Sequence, residues 1–280
     1  MKILVIGGSG FLGFKISLYL AKQGHKVFIF DQKKNKLNSK IIKFIKGNIR
    51  NERSLSKAIK GKDIVYNFAA IADIEEANKD VLETAIINTL SNIKIIKLCK
   101  KFSIKRFILA STIYVHSSQG GYYRVSKQSA ELFIDEFCKQ NKLNYTILRY
   151  GSVYGPGAGV NNGINKIIYN AKKNKKLEYG GSKKAERKFI HIDDTARLSV
   201  EILNSKYINQ NILITGNKNY KVKKILNYIA SKMDLKKRII FKKKKGLAHY
   251  DIHPYNYYPK KDYEIKGKRI SLNSYLDKIL

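Results

Sequence analysis

The sequence of 280 residues predicts an α/β fold built on a doubly wound parallel sheet. Apolar runs of strand length alternate with helix-length segments through the first half of the chain, and a glycine-rich turn follows the first run. Because a parallel sheet is buried on both faces, its strands are apolar throughout. Runs of this kind occupy residues 2–6, 27–30, 64–68, 106–110 and 146–149.

Glycine and proline mark a boundary after the fifth run. The segment GSVYGPGAGV follows Arg149, contains the first proline of the chain and ends the strand. We therefore predict one domain over residues 1–153 and a smaller α/β domain over residues 154–280, with segments near 186–217 returning to the first. The second part is predicted to hold helices over 164–174 and 195–204 and strands over 189–192 and 211–215.

An apolar stripe marks the segment between the third and fourth runs. Its members recur at spacings of four and three residues, which places them on one face of a helix. Such a face packs against the protein core or against a second copy of the chain. The stripe consists of Leu82, Ile86, Thr89, Ile93 and Ile96.

The chain is strongly basic. Its 56 Lys and Arg residues against 21 Asp and Glu give a net charge of +35, which at face value suggests nucleic acid or an anionic membrane as partner. Only nine of these residues are Arg, however, and the lysines are spread among many Asn and Ile residues. Since phosphate and base recognition favours the guanidinium, we expect no nucleic-acid and no membrane partner, although the positive field would attract anionic substrates.

Cysteine and histidine spacing predicts no metal site. Cys99 and Cys138 lie far apart, and no histidine stands at ligand spacing from them. The apolar run at the N-terminus is too short for a signal peptide, and no segment approaches the length of a membrane span. These features are typical of a cytoplasmic protein.

A dinucleotide site is predicted at the turn after the first strand. In the segment GGSGFLG, Gly7 permits the tight turn, Gly10 lets a pyrophosphate approach the backbone, and Gly13 allows close packing of the following helix. Free amides at the start of that helix would face the phosphates. An ordinary strand-to-helix turn is the alternative, but the position of the motif and the acid that follows it favour a Rossmann-type domain.

That acid, Asp31, predicts which dinucleotide binds. It lies 18 residues after Gly13, at the end of the second strand, where a carboxylate accepts hydrogen bonds from both hydroxyls of the adenosine ribose. Such a carboxylate repels a 2′-phosphate, so NAD is expected. In the alternative, Asp31 only caps a turn, and Lys33 and Lys34 bind the 2′-phosphate of NADP.

Tyr123 and Lys127 are spaced for acid–base chemistry. On a helix, a separation of four residues places both on one face. A phenol titrates near ~10 and needs a neighbouring cation to act as a base at neutral pH, which Lys127 would supply. A chain rich in Tyr and Lys shows this spacing by chance. The functional interpretation of the pair therefore depends on its placement after the fourth strand. That strand brings Ser111 and Thr112 to the carboxyl edge of the sheet, where they either bind substrate or only end the strand.

An ordered set of motifs resembles the extended short-chain dehydrogenase/reductases, in particular their NAD-dependent epimerase/dehydratase branch. The resemblance runs from Met1 to about Asn217 and implies catalytic roles for Thr112, Tyr123 and Lys127. It also implies a homodimer in which helices near 80–98 and 122–140 pair. The motifs are GGSGFLG, Asp31, GNIRN at 47–51, NFAA at 67–70, Asn88, LASTIYV, YRVSK, LRYGSVYGPG and RKFIHIDD.

The resemblance further implies two sets of binding residues. A nucleotide-sugar substrate would contact Ser111, Ser152 and Arg187, with its phosphates on Arg187. The NAD site would comprise Gly7, Gly10, Phe11, Leu12, Gly13, Asp31, Asn48, Ile49, Phe68, Ala69, Ala70, Asn88, Tyr123 and Lys127.

Several positions depart from the family pattern. Asn48 replaces an Asp near the adenine, although an amide still pairs with the exocyclic amine. Ser152 replaces an Asn that usually touches substrate, and His116 replaces a Tyr. Tyr123 lies only 11 residues after Thr112, a shorter connection than is typical of this branch.

The second half of the chain holds three less specific features. His191 is interpreted as structural. No Arg of the tail lies near the expected second phosphate contact, which leaves only the lysines at 242–245. The Tyr-rich stretch 250–263 either packs against the neighbouring domain, stacks on a base of the substrate or binds single-stranded RNA.

The leading hypothesis is NAD-dependent epimerisation of a nucleotide-activated sugar at C4. Related 4,6-dehydratases carry an acidic pair directly after the catalytic Thr, where this chain has Ile113 and Tyr114. Neither residue transfers protons readily at neutral pH, so dehydration and the related decarboxylation are disfavoured. One alternative is an NAD(P)-dependent reductase of a 4-keto nucleotide sugar, and another is a non-catalytic NAD-binding protein whose basic surface binds RNA or a partner.

Overall fold

The computed structural model describes residues 1–35, 39–159, 162–235, 239–242 and 262–280. Its strands are β1 (Lys2–Ile6), β2 (Lys26–Asp31), β3 (Ile42–Lys46), β4 (Ile64–Asn67), β5 (Arg106–Thr112), β6 (Tyr145–Tyr150), β7 (Ser152–Tyr154), β8 (Leu177–Gly180), β9 (Glu186–His191), β10 (Gln210–Ile214), β11 (Asn219–Lys221), β12 (Ile239–Lys242) and β13 (Tyr263–Glu264).

Its α-helices are α1 (Phe11–Lys22), α2 (Glu52–Ile59), α3 (Ile74–Lys79), α4 (Val81–Ala85), α5 (Ser91–Lys101), α6 (Gly121–Asn141), α7 (Gly163–Asn174), α8 (Ile192–Glu201), α9 (Val222–Lys232) and α10 (Leu272–Ile279). A π-helical turn spans Ile86–Leu90, and 3-10 turns span Ile113–His116 and Ser205–Tyr207. No helix in the described ranges combines the length and the apolar character that crossing a membrane requires.

Eight strands form the main sheet in the order β13-β10-β6-β5-β4-β1-β2-β3, and every pair in it is parallel. The chain runs outward from β1 to β3, then crosses back to β4 on the other side of β1. This reversal creates a crevice at the carboxyl ends of β1 and β4, where ligands of doubly wound sheets bind. The predicted fold class is confirmed.

All seven strands and both helices that the sequence predicts are present, within a few residues at their ends. The main sheet also contains β3, which the sequence reading missed. Its segment IKFIK carries two lysines, and among the described strands it pairs only with β2, at the edge of the sheet. An edge strand tolerates polar residues that a central strand excludes.

Both faces of the main sheet are covered by helices. On one face, α2, α5 and α6 pack on the strands, and both cysteines are buried there as free thiols. On the other face, α1 and α8 pack on the strands and on each other. Tyr66 of β4 reaches this layer and donates a hydrogen bond to the Ser199 carbonyl at 3.0 Å. These layers hold the carboxyl edge of the sheet in place.

Two smaller sheets are formed by strands from the second half of the chain. The order of the three-stranded sheet is β11-β9-β7, and β12 pairs with β8. A third apolar cluster, which includes Tyr154 and residues of α7, α9 and α10, packs around them. His191 ends β9, and its ring accepts the Asp193 amide at the start of α8 while lying edge-on to Tyr154 at 5.3 Å. His191 therefore has a structural role, as expected.

The predicted apolar stripe does not form one continuous face. The π-helical turn inserts one residue into the helical repeat between α4 and α5. As a result, Thr89 and Ile96 are buried, whereas Leu82, before the turn, is 71% exposed. The prediction of a single face was wrong, because a sequence period does not reveal a widened turn.

Candidate active site

The glycine turn adopts the geometry that a dinucleotide cradle requires. Gly7 has φ +71, and a Cβ there would lie 2.4 Å from the Ala69 amide nitrogen. A Cβ on Gly13 would lie 2.5 Å from the Gly7 carbonyl oxygen, so only glycine lets α1 start this close to the turn. A Cβ on Gly10 would meet only the Gly7 oxygen, at 3.4 Å, which leaves its outer side open. Phe11 and Leu12 follow as the first residues of α1.

Asp31 lies beside this cradle at the end of β2. Its carboxylate accepts the Ser9 amide at 3.0 Å and the Gln32 amide at 2.7 Å. Asn35 donates to the Ser9 carbonyl from the other side. Lys33 and Lys34 are exposed. The carboxylate thus stands where the adenosine ribose of a dinucleotide would lie, and these residues fit NAD.

We expect Asp31→Ala to narrow the preference of the protein for NAD over NADP, because it removes the charge that repels a 2′-phosphate. Asp31→Asn is the matched control: it removes the same charge, but its amide oxygen still accepts the Ser9 amide. Both variants should gain NADP affinity, and only Asp31→Ala should also loosen the glycine turn. Calorimetric titration with both dinucleotides measures this. A wild-type preference for NADP would contradict the argument.

The remaining cofactor candidates lie along the same edge. Asn48 and the buried Ile49 follow β3, and the Asn48 side chain accepts the Arg50 amide. Phe68 stacks on Tyr66 with ring centroids 6.1 Å apart. Ala69 and Ala70 continue from it past the glycine turn, where Ala69 donates its amide to the Asn67 side chain.

Asn88 forms buried hydrogen bonds near the same edge of the sheet. It lies fully buried in the π-helical turn. Its side chain pairs with both backbone groups of Ile71 and donates to the Ser126 hydroxyl at 3.0 Å. The structure therefore places Asn88 as a link between the loop after β4 and helix α6.

Thr112 and Tyr123 are brought together across the carboxyl edge of β5. Their side chains lie close enough for the Thr112 hydroxyl to lower the pKa of the Tyr123 phenol, although ten residues separate them in sequence. Lys127 lies one helical turn after Tyr123 on α6 and donates its ammonium to the Ala110 carbonyl at 3.0 Å. The three residues predicted to be catalytic thus converge at one place.

Burial sets the proton affinities of this trio. It raises the pKa of Tyr123 to about 12, although the nearby Thr112 hydroxyl acts in the opposite direction. It also lowers the pKa of the Lys127 ammonium to about 8, opposed by the charge of Glu131. A phenol in this state holds its proton at neutral pH, so it becomes a base only when a further positive charge approaches.

The two residues after Thr112 are arranged differently from each other. Ile113 is buried against Leu213. The ring of Tyr114 stands edge-on to that of Tyr123, with centroids 6.2 Å apart. Gly120, with φ +104, makes room for it, since a Cβ there would lie 2.7 Å from the Tyr114 ring. The Tyr114 side chain therefore presents an aromatic surface to Tyr123.

Ser111 does not join Thr112 at the site. Its hydroxyl points into the protein and donates to the buried Glu131 carboxylate at 2.5 Å. Glu131 also accepts both Nε and one terminal nitrogen of Arg149, at 3.1 and 2.5 Å. The expectation that both hydroxyls face a ligand is not met, because successive residues of a strand point to opposite faces.

The sequence reading missed the residues that surround Ser111. Glu131 follows Lys127 by four residues on α6, so the spacing alone could have indicated that both residues lie on one helix face. Arg149 also contacts Asp262 at 2.5 Å, and Asp262 contacts the His116 ring at 2.8 Å. No local pattern predicts Asp262, because 113 residues separate it from Arg149.

The substrate candidates outside β5 lie on the three-stranded sheet. Ser152 begins β7 and pairs in register with Phe189. Arg187, buried in β9, donates to the Glu186 carbonyl at 2.7 Å and to the Tyr179 hydroxyl at 3.0 Å. The stretches 243–245 and 250–261 lie outside the described residues. Within the described ranges, no group of three or more His, Cys, Asp or Glu residues is placed to hold a metal ion.

The chain resembles known proteins in sequence and structure. A model of the NAD dependent epimerase/dehydratase family matches residues 3–214. A dTDP-D-glucose 4,6-dehydratase of Dictyostelium discoideum is 28% identical over 230 residues, which cover 69% of this chain and 53% of that protein. The chain thus spans about half the length of that relative. A UDP-glucuronate 4-epimerase of Thermodesulfobacterium geofontis is 25% identical over 228 residues, covering 71% of each chain.

Solved structures show the same fold. A UDP-glucuronic acid 4-epimerase of Bacillus cereus, in complex with UDP-4-deoxy-4-fluoro-glucuronic acid and NAD, superposes with a TM-score of 0.81. It is 24% identical, and the superposition covers 99% of this chain and 97% of that one. At this identity the likeness concerns the fold alone.

Proposed function

Because the chain belongs to the NAD-dependent epimerase/dehydratase family, it is an NAD-dependent enzyme, and we propose that it epimerises a nucleotide-activated sugar at C4. The observation that supports this most is the close approach of the Thr112 and Tyr123 side chains, with Lys127 on the same helix face as Tyr123. Ile113 and Tyr114, which follow, provide no carboxylate for eliminating water.

The proposed mechanism assigns one role to each residue. Tyr123 takes the proton of the C4 hydroxyl and later returns it, while Thr112 hydrogen-bonds the same oxygen. Lys127 stabilises the phenolate that forms, because its ammonium lies on the same helix face. NAD would be held by the glycine cradle and Asp31, and it would supply the acceptor and donor for the C4 hydride. The positive charge of its nicotinamide would be the further charge that the Tyr123 phenol requires to act as a base.

The test is to offer UDP-, dTDP- and GDP-linked hexoses and follow product mass together with absorbance of the reduced cofactor. We expect a product of unchanged mass and no net NADH. Stoichiometric consumption of NADH with a 4-keto nucleotide sugar would instead identify a reductase. A product lighter by one water would identify a dehydratase. Either of these outcomes contradicts the proposal.

We also infer that two chains pair through the helices near 80–98 and 122–140. Large apolar side chains are exposed on α4, on the π-helical turn and on α6, and a second copy would cover them. On α6 they recur at helical spacing, so they form one face. They are Val81, Leu82, Leu90, Tyr122, Val125, Leu132 and Phe133.

Phe133→Glu is expected to convert the protein to a monomer, since the exposed ring would be replaced by a charge inside the apolar contact. Tyr169→Glu is the matched control. Tyr169 is 50% exposed, as Phe133 is at 52%, but it lies on α7, away from this face. Light scattering at micromolar concentration measures the mass. A monomeric wild type would contradict the inference.

A further inference from the structure

Five polar side chains form a buried network beneath the proposed site, and each comes from a different element. Ser111 lies on β5, Glu131 on α6 and Arg149 on β6, while His116 ends the 3-10 turn and Asp262 precedes β13. Four of their side chains are almost fully enclosed: those of Arg149, Glu131 and His116 are 1–3% exposed, and that of Asp262 is 10% exposed. We call this set the Asp262 network.

The Asp262 network is arranged around the guanidinium of Arg149. Glu131 accepts its Nε and one terminal nitrogen, and Asp262 accepts the other terminal nitrogen. Planar guanidinium groups bind carboxylates in such fixed geometry. If the Asp262 charge were removed, one donor of a fully buried cation would lose its carboxylate. A buried ion that loses one partner is strongly unfavourable, so the segment that carries Asp262 is held firmly to the main sheet.

The second oxygen of Asp262 reaches the turn that follows the catalytic strand. It contacts Nε2 of His116 at 2.8 Å. The turn begins at Thr112, whose hydroxyl accepts the Tyr114 amide, and it ends where the Ser117 amide donates to the Tyr114 carbonyl at 2.8 Å. With so few residues between Thr112 and His116, a displacement of the histidine also displaces the threonine.

The same network reaches the catalytic helix and strand by two further routes. Glu131 lies one turn after Lys127 on α6. Ser111, which Glu131 holds, is the neighbour of Thr112 on β5. The elements that carry Thr112, Tyr123 and Lys127 therefore all contact one buried cluster, and Asp262 is the member contributed by the C-terminal segment.

We propose that Asp262 is a positioning residue for the active site: through His116 and Arg149 it fixes the turn that aligns Thr112 with Tyr123. Docking of the C-terminal segment and alignment of the catalytic pair are then one event. The inference rests on the proposed function only where turnover of the nucleotide sugar is used as a readout. The alignment itself is measurable without any substrate.

The experiment uses the full chain with NAD bound and measures amide hydrogen exchange by mass spectrometry. Asp262→Asn removes the charge and keeps the shape, so exchange in peptides covering 111–117 should accelerate at least ~10-fold. Asp262→Glu keeps the charge and should restore most of the protection. The matched control is Glu264→Gln. This substitution also converts a carboxylate to an amide, but it does so two residues away, on a side chain that is 61% exposed. It should exchange as the wild type does.

His116→Phe provides a second variant that leaves the pair of Asp262 and Arg149 intact. It should also accelerate exchange over 111–117, and it serves if Asp262→Asn does not fold. Unchanged exchange in this turn in whichever of the two variants folds would overturn the proposal. Steady-state kinetics with the best nucleotide sugar should show a fall in kcat of at least ~10-fold with little change in KM for Asp262→Asn.

A purely stabilising role would give a different result, in which Asp262→Asn lowers the melting temperature while the folded fraction keeps wild-type kcat and wild-type exchange at 111–117. That outcome also overturns the proposal. If the exchange results are as expected but the wild type turns over no nucleotide sugar, the positioning role stands and the proposed reaction fails.

Discussion

Tyr123→Phe is expected to reduce turnover by ~10³-fold or more while leaving NAD affinity nearly unchanged. General acid–base groups typically contribute 10²–10⁴-fold, and this hydroxyl is the group proposed to exchange the proton of the substrate. The substitution removes one hydroxyl from a half-buried ring, so it alters little packing surface. It also removes the interaction between the Tyr123 phenol and the Thr112 hydroxyl. The measurement is the rate of product formation with the nucleotide sugar that the wild type accepts.

Tyr122→Phe is the natural control because it makes the same chemical change one residue earlier on α6. Tyr122 is 46% exposed, and the residue four positions on is Ser126 instead of a lysine. Turnover of this variant should remain within about twofold of the wild type. Wild-type activity that survived Tyr123→Phe undiminished would show that another group exchanges the proton.

Lys127→Met is expected to abolish turnover and, in the absence of NAD, to make the protein more stable. Burial lowers the pKa of Lys127 to about 8, against about 10.4 for an unfolded lysine. This difference corresponds to ~3 kcal/mol at neutral pH, part of which is offset because the variant loses the hydrogen bond to Ala110. A net gain of about 1–2 kcal/mol in the free energy of unfolding is expected.

The pH dependence of that gain identifies its cause. Between about pH 8 and 10.4 the unfolded wild type still holds a proton that the folded state has released, so its stability rises with pH across this window. The advantage of Lys127→Met should therefore be largest below pH 8 and vanish above about pH 10.4. Lys173→Met, at an exposed position of α7, should show no such profile. Denaturant titrations at several pH values measure both variants, and a constant difference would contradict the explanation.

The short-range parts of the site could be predicted from the sequence. The glycine turn, Asp31 and the pair of Tyr123 and Lys127 each lie within one strand–turn–helix unit, where spacing dictates geometry. The family to which they pointed is confirmed by the match over residues 3–214, and NAD as cofactor follows from it. Local spacing also accounts for β5 placing Thr112 at the carboxyl edge.

Features that depend on distant pairing could not be predicted in this way. Ser111 follows strand alternation away from the site, yet only the position of Glu131 explains where its hydroxyl goes. The π-helical turn at Ile86–Leu90 shifts a helix face without any change in apolar spacing. Arg187 lies in β9, and its hydrogen bond to Tyr179 depends on where β8 places that tyrosine.

The order in which the ribosome releases the chain has a consequence for the Asp262 network. Arg149 emerges 113 residues before the carboxylate that completes its pairing. At 5–20 residues per second, roughly 6–23 s of synthesis separate them. During that interval most strands of the main sheet are already available, but β13 and Asp262 are not. The alignment that we propose for Asp262 therefore becomes possible only after that interval, when the cofactor cradle has already been made.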